Sequence, residues 1–235
     1  MPRAGEPGGG DHMDGVHFRR FEARDIARVR DMFSEAFKLG TYSDKPCVMR
    51  HLLDHYLCAY LGGATYSVVA EEDGRALGFL LGASRFDERI GYRLMELYHA
   101  LFLIFRRAGW AYFRGRWLIW RADRAMRRHA PPADCELVLF VVDRQARGKG
   151  VGREMLRLFR RYLEENGART MFLFTDDYSD VDYYRARGYA EEGVRRIAFS
   201  RDDVARFYLF SIPVGLVGGA NADDTAQRAE TAARS

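Results

Sequence analysis

The apolar positions change period several times along the chain. Residues 16–21 (VHFRRF) alternate apolar and polar, the period-two pattern of a first strand. Over residues 25–37, Ile26, Val29, Met32, Phe33 and Phe37 recur at helical spacing and predict an amphipathic helix. A second helical stretch follows Pro46, whose fixed φ suits a first-turn position. Residues 64–71 and 76–83 flank EEDG, in which Asp73-Gly74 is a strong hairpin-turn signal. Residues 135–142 (CELVLFVV) run almost continuously apolar, as a central strand covered on both faces does. A helix is predicted over 151–163, with Val151, Met155, Leu158, Phe159 and Tyr162 on one face and Arg153, Arg157, Arg160 and Arg161 off it; Asn166-Gly167 stops it. Residues 171–175 predict a buried strand, 179–187 a short helix, and 194–199 and 207–212 the closing strands. This order predicts an α/β fold with a mixed sheet and helices between its strands.

The two ends fall outside the pattern. Residues 1–14 are Gly- and Pro-rich and residues 214–235 small and polar, so a disordered leader and tail are expected around one domain at 15–213. The net charge of +4 comes mainly from arginine. It suits an anionic ligand and is too small to argue for nucleic acid. Cys47, Cys58 and Cys135 form no C-x-x-C pair, which speaks against a zinc ribbon or a disulfide framework and for a reducing, cytoplasmic setting. The N-terminus has no apolar core of the kind a secretory signal needs. The most apolar stretch, residues 101–105, is cut at once by Arg106 and Arg107, far short of the ~20 residues of a transmembrane helix. His51 and His55 share a helical face, yet Leu52 stands where a zinc-protease pattern needs glutamate, so no metal is expected.

Chemistry concentrates in residues 143–152 (DRQARGKGVG), directly after a predicted strand and directly before a predicted helix. Glycines at 148, 150 and 152 lack a Cβ and let the backbone approach a ligand. The turn offers amide N–H groups at the positive end of the helix dipole, an anion site to which Arg147 and Lys149 add charge. A diphosphate is the natural guest, although an ordinary Gly-rich turn with solvated arginines has the same sequence.

Arg147-x-x-Gly150-x-Gly152 resembles the Q/R-x-x-G-x-G/A motif of the GNAT superfamily of acyl-CoA-dependent N-acetyltransferases. ELVLFVVD before it resembles the family's fourth strand, and YYRARGY (residues 183–189) its F-Y-x-x-x-G-F block. The three blocks stand in the family's order over residues 135–189, and the first strand, first helix and hairpin are compatible with it. Residues 86–134 have no counterpart and are expected as a helical insertion. Two positions depart from the pattern: Arg144 replaces a proline after the strand, and Asp177 an asparagine before the tyrosine.

The resemblance implies a mixed, mostly antiparallel twisted sheet with helices on both faces. It implies that the fourth and fifth strands splay and hold the pantetheine arm of acetyl-CoA, the cosubstrate, with no metal. Backbone groups of Phe140, Val141 and Val142 would bond pantetheine, one N–H polarising the thioester carbonyl. The turn at Arg147, Gly148, Lys149, Gly150, Val151 and Gly152 would hold the pyrophosphate, and residues 175–177, Asp177 among them, would lie at the end of the fifth strand near the emerging coenzyme. Glu136, in an apolar run that should raise its pKa, is the expected general base, and Tyr184 the expected acid toward the departing sulfur.

The implied reaction is acetyl transfer to a primary amine by direct attack, on a small-molecule acceptor, with no nucleic-acid partner. A non-catalytic acyl-CoA sensor and a protein N-acetyltransferase remain alternatives. The insertion carries Tyr98, Phe102, Phe105, Trp110, Tyr112, Phe113, Trp117 and Trp120 among many arginines. It is expected to pack mainly as helices on the acceptor side, with snorkelling arginines. An exposed part could form a homodimer contact, and membrane association is the minor alternative.

Overall fold

A computed structural model describes residues 12–13, 15–37, 43–179, 181–201 and 203–219. In chain order the elements are β1 (His12–Met13), β2 (Val16–Arg19), α1 (Ile26–Phe37), α2 (Pro46–Gly63), β3 (Tyr66–Glu72) and β4 (Arg75–Ser84). Then follow α3 (Arg93–Ile104), α4 (Arg107–Arg127), β5 (Cys135–Val142), α5 (Val151–Glu165), β6 (Thr170–Asp176), α6 (Val181–Ala186), β7 (Ala190–Ala198) and β8 (Val204–Pro213). The strands form one sheet in the order β1-β2-β3-β4-β5-β6-β8-β7. Every neighbouring pair is antiparallel except β5–β6. The mixed, mostly antiparallel sheet and the helix order agree with the sequence.

Both faces of the central strands are apolar because both are covered. Val68, Ala70, Leu80 and Leu137 point to one face, where Met155, Phe159 and Tyr162 of α5 pack. Val69, Phe79, Leu81, Leu139 and Val141 point to the other, under Val29 and Phe33 of α1 and Leu57 and Leu61 of α2. Further along that second face, Met126 of α4 packs with Phe172, Ile197, Phe207 and Leu209. Gly82 is needed for the close approach of α5, since a Cβ there would lie 2.1 Å from the Phe159 ring. The β3–β4 hairpin turns on Asp73 and Gly74, both at positive φ, as the Asp-Gly signal predicts.

The ends and the insertion differ from the expectation. His12–Met13, inside the expected leader, pair with β2 as a short strand. Beyond Pro213 the chain makes a further 3-10 turn at Val214–Leu216, and Val214 and Val217 are buried in the α5 cluster. Two isolated valines among glycines are too weak a pattern to mark that turn in advance. Residues 1–11, 14 and 220–235 lie outside the described residues. β7 starts at Ala190 rather than 194, because AEEG at its start is a mostly exposed edge without apolar alternation. The insertion forms the α3–α4 helical pair, but it is only half packed. His99, Leu103 and Tyr112 are buried, whereas Tyr98, Phe105, Trp110, Trp117 and Trp120 are exposed.

Candidate active site

β5 and β6 are parallel neighbours over three residue pairs only, Cys135–Met171, Glu136–Phe172 and Leu137–Leu173. Beyond Leu137, β5 stays bonded to β4 as far as Val142, and β6 to β8 as far as Asp176. The two central strands therefore part, leaving a wedge between their facing edges. A bulge accompanies the parting: Leu81 pairs with Leu139 and Gly82 with Leu137, so Val138 is extra on β5. It reverses the side-chain alternation. Leu137 points to the α5 face, Leu139 and Val141 point to the α1–α2 face, and Phe140 and Val142 return to the α5 face. Backbone groups on the wedge edges lack the ladder partners that a buried strand needs, so an extended polar chain fits there as a strand would.

At its open end the wedge meets the glycine turn. Asp143 caps the short 3-10 turn at Arg144–Ala146 by accepting a bond from the Gln145 amide at 2.9 Å. That bond, with Arg28 and Arg75 close by, holds its carboxyl below the usual range. Gly148 (φ 77°) and Gly150 (φ 84°) are left-handed, and Gly150 is the N-cap of α5. Gly152 serves a different purpose: a Cβ there would come within 3.1 Å of Phe140 and 3.2 Å of Val142, so it lets α5 sit close on β5. The first backbone bond of α5 is Glu154 N–H to the Gly150 carbonyl. The amides of Gly150, Val151, Gly152 and Arg153 thus make no backbone bond at the positive end of the dipole. Arg147 and Lys149 are exposed beside them, and Arg147 Nε reaches back to the Val142 carbonyl at 3.4 Å. The Val151 side chain is fully buried, so only its amide faces the turn.

Glu136 lies at the narrow end of the wedge, on the face that carries α4. Arg127 of α4 donates to Glu136 Oε1 at 2.7 Å and to Asp123 at 2.6 Å. The carboxylate is densely surrounded by protein although about a third of its side chain meets solvent. Desolvation raises its pKa, and the Arg127 guanidinium opposes that rise. Tyr184 of α6 lies on the opposite face, in the α5 cluster, edge-on to Tyr183 and Tyr189 with ring centres 5.3 Å away in each case. Glu136 and Tyr184 thus lie on opposite faces of the sheet, the Tyr184 ring 6.0 Å from that of Phe210 on β8.

Asp177 is engaged elsewhere. Its amide donates to the Arg206 carbonyl at 3.0 Å and its carboxylate accepts from the Arg206 amide at 3.1 Å, extending the β6–β8 ladder. One group that the sequence did not single out, Arg127, joins the site, and Asp176 and Tyr189 carry perturbed polar groups of their own. Arg127 is recognisable only as an i+4 partner of Asp123. Asp176 ends β6 with a pKa raised by desolvation, against bonds from Ser179 and the Tyr178 amide. The Tyr189 hydroxyl is buried with no hydrogen-bond partner, the sole such side-chain atom among the described residues. His51 and His55 have separate partners, His99 at 2.9 Å and Tyr112 at 2.8 Å. Burial lowers the pKa of both, that of His55 to about 4. Among the described residues no cluster of three or more His, Cys, Asp or Glu side chains could hold a metal ion. A cavity of about 150 Å³ lies between Phe21, Tyr66, Asp87 and Tyr162, at the start of β3, where Tyr66 pairs with Gly82 and Gly82 in turn with Leu137 at the apex of the wedge.

The Acetyltransferase (GNAT) family profile matches residues 26–189. No curated protein matches the sequence. An N-acetyltransferase from Staphylococcus aureus superposes with a TM-score of 0.50 at 17% identity, over 85% of this chain and 98% of its own. An agmatine N-acetyltransferase variant superposes with a TM-score of 0.53 at 13% identity, over 85% of this chain and 100% of its own. A protein from Streptococcus mutans gives 0.50 at 13%, over 84% and 99%. At these identities the likeness concerns the fold, and the profile match over most of the chain carries the assignment: this protein belongs to the acetyltransferase (GNAT) family.

Proposed function

We propose that the protein transfers the acetyl group of acetyl-CoA to a primary amine of a small-molecule acceptor, by direct attack within the β5–β6 wedge. The observation that carries this reading is the wedge itself, opening after Leu137 and ending on the glycine turn of α5. The residues present fit acetyl-CoA. The edge of β5 offers main-chain groups of Phe140 and Val142 to a pantetheine arm, whereas those of Val141, in phase with the Asp143 amide that bonds Leu77, turn to β4. The open amides of Gly150, Val151 and Gly152, with Gly148, Arg147 and Lys149, suit a pyrophosphate. The unpartnered Tyr189 hydroxyl is a buried polar group that still wants a mate. A main-chain amide of β5 would stabilise negative charge on the thioester oxygen during attack.

Glu136 takes the proton that the amine must lose, and Arg127 holds the carboxylate in place. The raised pKa of Glu136 makes it a better base than an ordinary surface glutamate. Tyr184 returns a proton to the departing sulfur. The bonds of Asp177 to Arg206 hold its carboxylate on the β8 side of β6, away from the wedge, so it takes no part in this reading.

The test is thermal unfolding with and without acetyl-CoA, followed by thiol release over a library of amines. Ligand at a hundred times its Kd should add about 2.7 kcal/mol of stability. Glu136→Gln should keep that shift and lose turnover, by about a hundredfold or more for a general base. A wild type that shows no shift would mean the turn binds no coenzyme. A Glu136→Gln variant that turns over normally would favour a second reading, in which the Arg127–Glu136 pair only ties α4 to the sheet.

A further inference from the structure

The α3–α4 hairpin turns a hydrophobic stripe outward on each of its helices. On α3, Leu94, Leu97, Tyr98, Leu101 and Phe105 fall at three- and four-residue intervals, and Leu94 and Phe105 are 85% and 80% exposed. Their helix is held from its other side: His99 bonds His51, and Leu103 packs on Val48 and Leu52 of α2. On α4, Trp110, Trp117 and Trp120 are all more than half exposed, while Tyr112, Gly115 and Met126 point inward. Arg107, Arg121 and Arg124, with Arg128 just beyond α4, are interleaved with these tryptophans on the same outward face, while Arg114 between them bonds the Phe199 carbonyl at 2.5 Å. Arg121 stacks on Trp117 with its guanidinium carbon 4.6 Å from the ring centre, and Arg124 lies 5.6 Å from that of Trp120.

Charge is as uneven as hydrophobicity. Residues 93–128 hold nine arginines against Glu96 and Asp123, a net +7 in a chain of net +4, so the remainder is net acidic by three. All three tryptophans of the chain stand on this face. Neither helix is long and apolar enough to cross a membrane.

We propose that the α3–α4 hairpin docks flat on an anionic lipid surface, with Leu, Phe and Trp side chains at the acyl boundary and the arginines among the headgroups. Aromatic and leucine side chains on one helix face, bordered by arginine, are what an interfacial helix requires. Arginine and tryptophan also stay favourable at headgroup depth, where each has an apolar body and a polar end. A second copy of the chain is the poorer occupant. A two-fold contact would set this face against itself and oppose like charges across a low-dielectric seam.

Because every tryptophan reports on the face, intrinsic fluorescence reads the docking directly. The full chain is mixed with vesicles of phosphatidylcholine and phosphatidylglycerol in equal parts, and separately with phosphatidylcholine alone. Docking predicts co-sedimentation with the anionic vesicles, a blue shift of tryptophan emission, and loss of both at high salt. The exposed pair Arg121→Gln/Arg124→Gln should weaken binding about fivefold per arginine removed, while thermal unfolding verifies that it stays folded. Trp117→Ser/Trp120→Ser should weaken it by a salt-independent amount. The proposal is overturned if neither vesicle is bound, if both are bound equally, or if emission is unmoved. A blue shift that follows protein concentration without lipid, with a dimer in sedimentation, would overturn it in favour of self-association.

Discussion

The ion pair between α4 and β5 gives the acid–base reading its sharpest test. Arg127→Met keeps the length and the apolar stem of the side chain and removes the charge that faces Glu136. Desolvation, the largest influence, and the Asp123 carboxylate raise the pKa of Glu136, and Arg127 lowers it. Removing Arg127 leaves only the two influences that raise it, so the pKa must rise further. Fully exposed pairs contribute about 0.2–1 kcal/mol and breaking buried ones costs about 3–5. This pair keeps about a third of its surface in water, so a value between those two figures, about 1–2 kcal/mol, is appropriate. That corresponds to about one pH unit. A general base works deprotonated, so the acidic limb of the kcat/KM profile, followed by thiol release, should move about one unit to higher pH. Activity lost near neutrality should return on the alkaline side.

Stability provides an independent sign check on the same variant. A carboxyl whose pKa is higher folded than unfolded adds stability at low pH, and that contribution is lost as pH rises through the folded value. Deleting its cation deepens this loss, so Arg127→Met should be less stable than the wild type at neutral pH. The deficit should shrink on acidification. An acidic limb that does not move, in a variant that shows this stability pattern, would mean that Glu136 is not the base, whatever else it does.

Three other perturbations probe the frame around the site. Gly150→Ala places a Cβ on a residue at φ 84°, at a cost of about 1–2 kcal/mol, and should weaken acetyl-CoA binding in calorimetry more than it lowers Tm. Gly82→Ala drives a methyl group into Phe159 and should destabilise by about 1–3 kcal/mol in urea unfolding, with partial recovery in combination with Phe159→Leu. Tyr189→Phe removes a buried hydroxyl that has no partner, so the ligand-free protein should unfold no earlier than wild type and up to about 1 kcal/mol later. A loss of stability there would show that the hydroxyl is already satisfied.

Much of the fold could be read locally. The Asp73-Gly74 hairpin, the one-sided α5 and the twice-covered β5 each follow from residues adjacent in sequence, and the structure forms all three. The glycine turn was also visible, but its three glycines proved to have two separate purposes: backbone conformation at 148 and 150, and helix–strand contact at 152. Tertiary features could not be read in this way. An apolar run such as CELVLFVV is the same string whether its neighbour stays paired or leaves after three residues. Nothing in it marks Val138 as the extra residue. Arg127 lies nine residues from Glu136 with a loop between, and no spacing rule joins them. On α3 both faces are apolar, so periodicity could not tell the side that packs on α2 from the side that meets solvent.

An open sheet ordinarily carries its unsatisfied edges at its two outer rims, where charge or a short strand discourages other chains from adding on. Here a second pair of edges lies in the interior, between strands that neighbouring strands already hold rigid from behind. An occupant of that slot meets main-chain groups whose positions are set before it arrives, so little ordering remains to oppose binding. Strand pairing reads only amides and carbonyls, so the edges of the slot by themselves do not discriminate among extended chains. Selectivity must therefore come from the slot's two ends, the glycine turn at one and the bulged, Glu136-bearing apex at the other.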